Sequence, residues 1–135
     1  MRRALVIPFL LASAVAGHAD DYVAVSTTAM SITGDISFDD SAITFANGAT
    51  LGFSNLVADH FEVDGQDLPA SVYRIAEPAD PELENGNRLC GNGDVTYLAN
   101  WANGDTGSII AVFTGEDEPT SSAEMCASYS YEIAE

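Results

Sequence analysis

Short runs of alternating apolar and polar residues, separated by turn dipeptides, constrain the fold of this chain most. Asn47-Gly48, Asp64-Gly65 and Asn103-Gly104 are the dipeptides that tight hairpins favour, because both of their residues tolerate a positive φ. The residues on either side of them alternate with a period of two, which is typical of strands with one buried face. The pattern predicts an all-β chain of antiparallel hairpins.

The spacing of these runs predicts seven or eight short strands and no amphipathic helix of useful length. The clearest strand segments are 42–45, 50–53, 71–75, 95–102, 109–113 and 126–133. In residues 95–102 one row of side chains is expected to be buried and the other to face water, as in most antiparallel sheets. The predicted fold is a small antiparallel barrel or sandwich with one disulfide.

Three further segments carry weaker patterns. Met30 to Phe38 alternates on both sides of Gly34, which predicts a strand with a bulge or kink there, and 57–63 alternates as a separate strand. Glu77 to Asn87 breaks the rhythm and is predicted to be a long loop, with one helical turn at Pro81 to Glu84. Gly115 to Ser122 is predicted to be a second acidic loop.

The N-terminus has the layout of a secretory signal peptide. Arg2 and Arg3 precede the apolar run 4–15, and Gly17-His18-Ala19 places small residues at the −3 and −1 positions of a cleavage site before Asp20. An uncleaved N-terminal helix or anchor is the alternative. We therefore expect a signal peptide at 1–19, a single β domain at 20–135, and a periplasmic or secreted protein with no membrane span after cleavage.

The net charge of the chain is −17, from 21 acidic residues, four arginines and no lysine. Loss of residues 1–19 would remove two arginines and no acid, which leaves −19 with Arg74 and Arg88 as the fixed positive charges. Binding to nucleic acid requires clustered basic residues, so this charge argues against nucleic acid and favours a cationic partner. The hydrophobic fraction of 47% separates the chain from a disordered acidic tail.

Cys90 and Cys126 are the only cysteines, and both lie in the predicted exported part. An even count in an oxidising compartment predicts one disulfide between them. A metal site would need further soft ligands nearby, and the sequence contains no Cys-x-x-Cys or Cys/His cluster.

Candidate catalytic residues are few. Asp59-His60 is the only acid–histidine pair, and because neighbouring residues on a strand point to opposite faces, we expect Asp59 not to orient His60. No Gly-x-Ser-x-Gly motif is present. The acidic loops offer oxygen ligands for calcium without matching a known loop spacing. We expect no catalytic residues, metal or cofactor.

Four residues are candidates for contact with a ligand or a partner: Arg74, Arg88, Tyr97 and Trp101. Aromatic side chains anchor both ligand cavities and protein contacts, but they also fill a barrel core. In a protein this acidic, the two arginines are expected to pair with carboxylates, or alternatively to mark a site for an anion.

Several stretches resemble a group of small exported proteins of Gram-negative bacteria that have no assigned activity. The resemblance covers most of residues 31–132. It rests on Ile32-Thr33-Gly34, Ala42 to Gly48, Ala79-Asp80-Pro81, Asn85 to Cys90, Val95 to Leu98 and Trp101. It implies export, a disulfide and a β fold, and it supplies no catalytic residues. In size, compartment and fold class the chain is also similar to the periplasmic β-barrel inhibitors of c-type lysozyme, although their Ser-Gly-x-x-Tyr pattern is absent.

Two classes of function remain open. The first is a non-enzymatic binding or inhibitor-type domain for a basic protein or a small ligand. The second is a small hydrolase that uses two carboxylates, which would need to converge about 5–9 Å apart beside a cleft. A calcium-stabilised β domain is a further alternative.

Overall fold

The computed structural model describes residues 19–134, so the predicted signal peptide, apart from Ala19, lies outside the described residues. Eight strands and three short helical turns make up this part of the chain. The strands are β1 Asp20–Ala24, β2 Ile36–Phe38, β3 Ala42–Thr44, β4 Thr50–Val63, β5 Gln66–Ala79, β6 Val95–Asn103, β7 Gly107–Phe113 and β8 Ala127–Ile133. The helical turns are Ala29–Thr33, Glu84–Gly86 and Ser122–Glu124.

The strands form one closed antiparallel barrel in sequence order, with β8 pairing back onto β1. The all-β prediction is therefore confirmed, and of its two architectures the barrel is the correct one. Closure follows from the register, because Tyr22 of the first strand lies opposite Ile133 of the last strand. A closed barrel leaves few unpaired backbone groups at its edges.

The middle of strand β6 is buried on both of its faces: one row is buried as predicted, but the other row does not simply face water, since Leu98 is buried as well. Leu98 points into the barrel, while Tyr97, Ala99 and Trp101 point outward and are buried there as well. The outward row belongs to a second cluster, which we call the outer core. Its buried members are Phe61, Val72, Tyr97, Ala99, Trp101, Ala111 and Phe113.

The β4–β5 hairpin covers this outer face. The two strands have 14 residues each, much longer than the barrel needs, and they join at the tight turn Asp64-Gly65, where both φ angles are positive. Register shifts at three places in β4 between Phe53 and His60 bend the hairpin. The predicted separate strands 50–53 and 57–63 are thus one bulged strand.

The segment around Met30 is a helical turn and not a strand, so the strand predicted over 30–38 is present only at Ile36–Phe38. The Gly34 N–H donates to the carbonyl of Ala29 at 2.8 Å, and Gly34 then turns the chain into β2 at φ +65°. A Cβ at Gly34 would lie 2.5 Å from the Cβ of Ala46, so only glycine fits this close approach. The kink at Gly34 is therefore real, but it follows a helical turn.

The loop after β5 is shorter than predicted, because β5 continues through Pro78 to Ala79. Its helical turn lies at Glu84–Gly86 and not at 81–84. Cys90 at the end of this loop is bridged to Cys126 just before β8, with the two Cα atoms 5.6 Å apart, which confirms the predicted disulfide. Leu83 and Leu89 are buried in the barrel core, so the disulfide holds this loop across one end of the barrel.

Candidate functional site

The tip of the β4–β5 hairpin is fixed against the barrel by aromatic packing. Phe61 stacks on Trp101 with ring centroids 5.8 Å apart, and it meets Phe113 edge-on at 5.6 Å. Aromatic pairs in these geometries stabilise a fold beyond the area that they bury. The hairpin tip is therefore packed against the barrel.

Backbone contacts tie the same tip to the loop between β7 and β8. The Glu62 N–H donates to the carbonyl of Thr120 at 3.2 Å, and the Asp64 N–H donates to Ser122 Oγ at 3.3 Å. The loop itself is ordered by a capping box, in which Ser121 Oγ and the Glu124 carboxylate accept from backbone N–H groups. Hairpin tip and loop thus present one fixed surface.

A groove of about 390 Å³ lies between these two segments, and three carboxylates line it. Glu62 and Asp67 stand directly opposite each other on β4 and β5, and Glu118 belongs to the facing loop. The remaining wall consists of Ala58, His60, Phe61, Gly65, Pro119 and Thr120. We call this surface the acidic groove.

The charge of the acidic groove is not compensated within the described part of the chain. All three carboxylates are exposed, and no arginine lines the groove. Like charges directly opposite on neighbouring strands are destabilising, so the Glu62–Asp67 pair is a local cost to the fold.

His60 also lines the groove, and its contact with Asp59 corrects the sequence prediction. His60 Nδ1 lies 2.8 Å from Asp59 Oδ1, although residues adjacent on a regular strand point to opposite faces. The register shift between Ala58 and His60 breaks the alternation and brings the two side chains together. Both side chains are largely exposed, at 61% and 82%, and no serine hydroxyl forms a hydrogen bond with His60 in the described part of the chain.

Arg74 and Tyr97 are the two predicted contact residues that the structure brings together. They are cross-strand neighbours on β5 and β6, and the Arg74 guanidinium carbon lies 5.0 Å from the centroid of the Tyr97 ring. This is a cation–π contact. Trp101 lies on the same face of β6, and the exposed fractions of Tyr97 and Trp101 are only 2% and 7%. Both rings are thus core residues, although in the outer core and not inside the barrel.

Arg88 lies elsewhere, on the loop that the disulfide holds. Its Nη1 donates to the backbone carbonyl of Asp80 at 2.7 Å, while the Asp80 carboxylate accepts from the N–H groups of Cys90 and Gly91. Within residues 19–134 neither arginine forms an ion pair with a carboxylate. The prediction that both arginines pair with carboxylates is wrong, because one uses an aromatic face and the other a backbone carbonyl.

The acidic side chains of the described residues are exposed or half-buried, and none is in either core. In the same part of the chain, no three His, Cys, Asp or Glu side chains gather into a group that could hold a metal ion. No helix between residues 19 and 134 has both the length and the apolar character that crossing a bilayer requires.

Comparison with known proteins returned nothing similar: no family model, no curated protein and no solved structure matches this chain.

The sequence alone did not single out Glu62, Asp67 and Glu118 as a group. Asp67 follows the turn Asp64-Gly65, Glu118 belongs to the predicted acidic loop at 115–122, and Glu62 is one position of the alternating segment 57–63. A signal was nevertheless present. A two-residue turn at Asp64-Gly65 makes Val63 and Gln66 neighbours, and therefore Glu62 and Asp67 as well.

Proposed function

We propose that this protein is an exported, non-enzymatic binding domain of the inhibitor type, and that it recognises a cationic partner through the acidic groove. The observation that carries the proposal is the register of the hairpin, which sets the exposed Glu62 directly opposite the exposed Asp67. A periplasmic or secreted location fits the Cys90–Cys126 disulfide, since such bonds persist in oxidising compartments.

The physical basis is the repulsion within the groove. Two carboxylates held opposite each other cost the free protein a few tenths of a kcal/mol or more. A Lys or Arg side chain from a partner would lie between them, replace the repulsion by attraction, and form charge-assisted hydrogen bonds. Because packing and backbone contacts already hold the groove in place, little ordering would be needed on binding.

The charge of the whole domain supports the same proposal. A net charge of −19 on residues 20–135, from 21 acids and two arginines, attracts a basic protein over a distance set by ionic screening. Such attraction raises association rates at low salt and disfavours the binding of negatively charged partners. A basic enzyme such as a c-type lysozyme is one concrete example of this class of partner.

The hydrolase alternative has less support. A carboxylate pair for glycoside hydrolysis includes one acid whose pKa is raised, commonly by an apolar environment. Among the described residues the acids face solvent and the large aromatic side chains fill the two cores. The groove acids lie on an open surface, which suits recognition better than acid–base chemistry.

The experiment is a binding titration of the exported domain with basic proteins, lysozyme among them, at about 0.01 M and about 1 M salt, where the Debye lengths are about 30 Å and 3 Å. We expect salt-sensitive binding that the double variant E62Q/D67N weakens about tenfold, equivalent to about 1.4 kcal/mol.

The matched control is the variant D94N/E132Q, which removes the same charge from exposed positions outside the groove. It should change the affinity by no more than about threefold, since only the long-range field is altered. Equal weakening by the two double variants would show that the groove is not the contact. Absence of salt-sensitive binding to every basic probe would contradict the proposed class of partner.

A further inference from the structure

The two ends of the barrel differ in how they are closed. At the end where β1 and β5 finish, Leu83 and Leu89 fill the interior, and the hydroxyls of Thr33 and Tyr131 lie 2.7 Å apart. Tyr129 adds a hydrogen bond from its hydroxyl to the carbonyl of Leu89 at 2.7 Å. The opposite end, where the β6–β7 turn meets β1 and the end of β8, carries an open pocket.

A cavity of about 340 Å³ opens at this second end, which we call the barrel mouth. Tyr22, Ala102 and Ile133 supply its apolar wall, and Asn100, Ser108 and Asp105 supply polar groups. The mouth of a small barrel is one of the places where ligands commonly bind, and this volume suits a small molecule.

Asn100 is the most informative residue of the barrel mouth. Leu98 of the same strand points into the barrel core, so the alternation of β6 directs Asn100 to the interior as well. Its Nδ2 donates to Ser108 Oγ and to the carbonyl of Ile109, the latter at 3.0 Å. A carbonyl only accepts, so this bond fixes which amide atom is the nitrogen.

The amide oxygen of Asn100 therefore takes no part in these hydrogen bonds. Within residues 19–134 no donor satisfies Oδ1, and the hydroxyl proton of Ser108 has no acceptor there either, although Ser108 is only 8% exposed. Because Asn100 is only partly buried and lines this open pocket, its amide oxygen is accessible from the barrel mouth. The barrel mouth thus presents an acceptor that a ligand could satisfy.

The other groups at the barrel mouth define the charge of that ligand. Asp105 in the β6–β7 turn contributes a carboxylate at the rim, and Tyr22 contributes an aromatic ring that packs edge-on against Phe38 at 6.5 Å. Burial and the carboxylate of Asp20 raise the pKa of Tyr22, so its phenol stays neutral. Both arginines of the exported domain are engaged elsewhere, with Tyr97 and with Asp80.

From this set of groups we infer that the barrel mouth binds a small organic ammonium ion. Its N–H groups donate to Asn100 Oδ1, its charge lies near Asp105, and its alkyl chain packs against Tyr22 and Ile133. A carboxylate, an amide oxygen and an aromatic ring together favour an ammonium group over an anion or a neutral molecule. The site is separate from the acidic groove and does not depend on the function proposed there.

The test is an NMR titration of the exported domain with n-butylammonium, and in parallel with n-butanol as the neutral molecule of similar shape. We expect saturable shifts of the Asn100 side-chain amide and of the Thr106 and Gly107 backbone amides with the ammonium ion only. The variant Asp105→Asn should weaken this binding about tenfold. Asp94→Asn, which removes the same charge at an exposed position outside the mouth, should leave it within about twofold.

Three results would overturn the inference. The first is shifts spread over the surface carboxylates without saturation at Asn100. The second is that Asp105→Asn and Asp94→Asn weaken binding of the ammonium ion equally, which would mean that only the overall charge of the protein matters. The third is equal binding of n-butanol, which would make the barrel mouth a site for apolar molecules. Asp94 and Asp105 are both exposed, so neither substitution removes a core contact.

Discussion

Glu62 and Asp67 are direct cross-strand neighbours at the tip of the β4–β5 hairpin, and no arginine is among the described residues that line the groove beside them. The structure keeps this repulsive pair in a segment that is otherwise well anchored, by the Phe61–Trp101 stack and by the Glu62–Thr120 backbone contact. A surface that is held rigid while its charges repel is suited to a partner of opposite charge.

The first prediction concerns the electrostatic interaction between Glu62 and Asp67. Glu62→Lys places a positive charge opposite Asp67, which should raise the free energy of unfolding by about 0.2–1 kcal/mol. Urea denaturation measures this change. Glu132→Lys is the control, because it alters the net charge equally while its cross-strand neighbours, Val23 and Gly107, are uncharged. An equal gain in both variants would assign the effect to net charge alone.

The second prediction concerns the outer core. Phe61→Ala removes the ring that stacks on Trp101 and meets Phe113, and should lower the free energy of unfolding by about 3–5 kcal/mol. The control on the same strand is Leu56→Ala, whose side chain is 53% exposed and should cost no more than about 0.5 kcal/mol. Similar losses in the two variants would mean that the hairpin tip does not pack on the barrel.

The third prediction concerns the disulfide. Cys90 and Cys126 are 36 positions apart, and removing their bond should cost about 4 kcal/mol on the chain-entropy model. Residues 20–135 contain two trypsin sites, Arg74 on β5 and Arg88 on the disulfide-held loop. In the variant C90S/C126S we expect cleavage at Arg88 to accelerate far more than cleavage at Arg74. Equal acceleration at both arginines would indicate global unfolding instead of release of the loop.

The fourth prediction concerns alkaline pH. Burial, together with the nearby Asp80 carboxylate, raises the pKa of Tyr129 from 10.0 to about 12. Because the folded-state pKa is the higher one, the neutral phenol stabilises the fold below pH 10, and this contribution is lost as the pH rises towards 12. The pKa of Tyr131 is also raised, mainly by burial.

Urea midpoints measured across this pH range test the assignment. Tyr129→Phe should flatten part of the alkaline decline. Its stability at neutral pH should be lower by about 1–3 kcal/mol, because the Leu89 carbonyl loses its donor. If the loss of stability at alkaline pH is the same in Tyr129→Phe as in the unchanged protein, ionisation of Tyr129 is not what destabilises the fold.

Local patterns in the sequence were enough to predict the hairpins and the fold class. Asp64-Gly65 adopts the two positive φ angles that the dipeptide favours, and this turn alone determines that Glu62 faces Asp67. Alternation also placed Tyr97 and Trp101 on one face of β6. Alternation could not show that the outer face of β6 is covered, because the cover is a distant hairpin bent by irregular register.

The contacts of single side chains were harder to predict. The Asp59–His60 contact depends on a register shift, and no residue type in β4 predicts that shift. The position of Arg74 over Tyr97 depends on the β5–β6 register, which the long irregular loop between these strands and the register shift after Arg74 make hard to predict. Charge alone suggested carboxylate partners for Arg74, whereas the pairing of the strands placed an aromatic ring closer.

The most direct measurement maps where a basic protein binds. When ¹⁵N-labelled residues 20–135 are titrated with lysozyme or another basic probe at low salt, the largest shifts should fall on the backbone amides of Glu62, Asp67 and Glu118. Those of Asp94 and Glu132 should change little, and added salt should reverse the shifts. Binding whose shifts lie outside the acidic groove, or are uniform over all acidic residues, would contradict the proposed recognition.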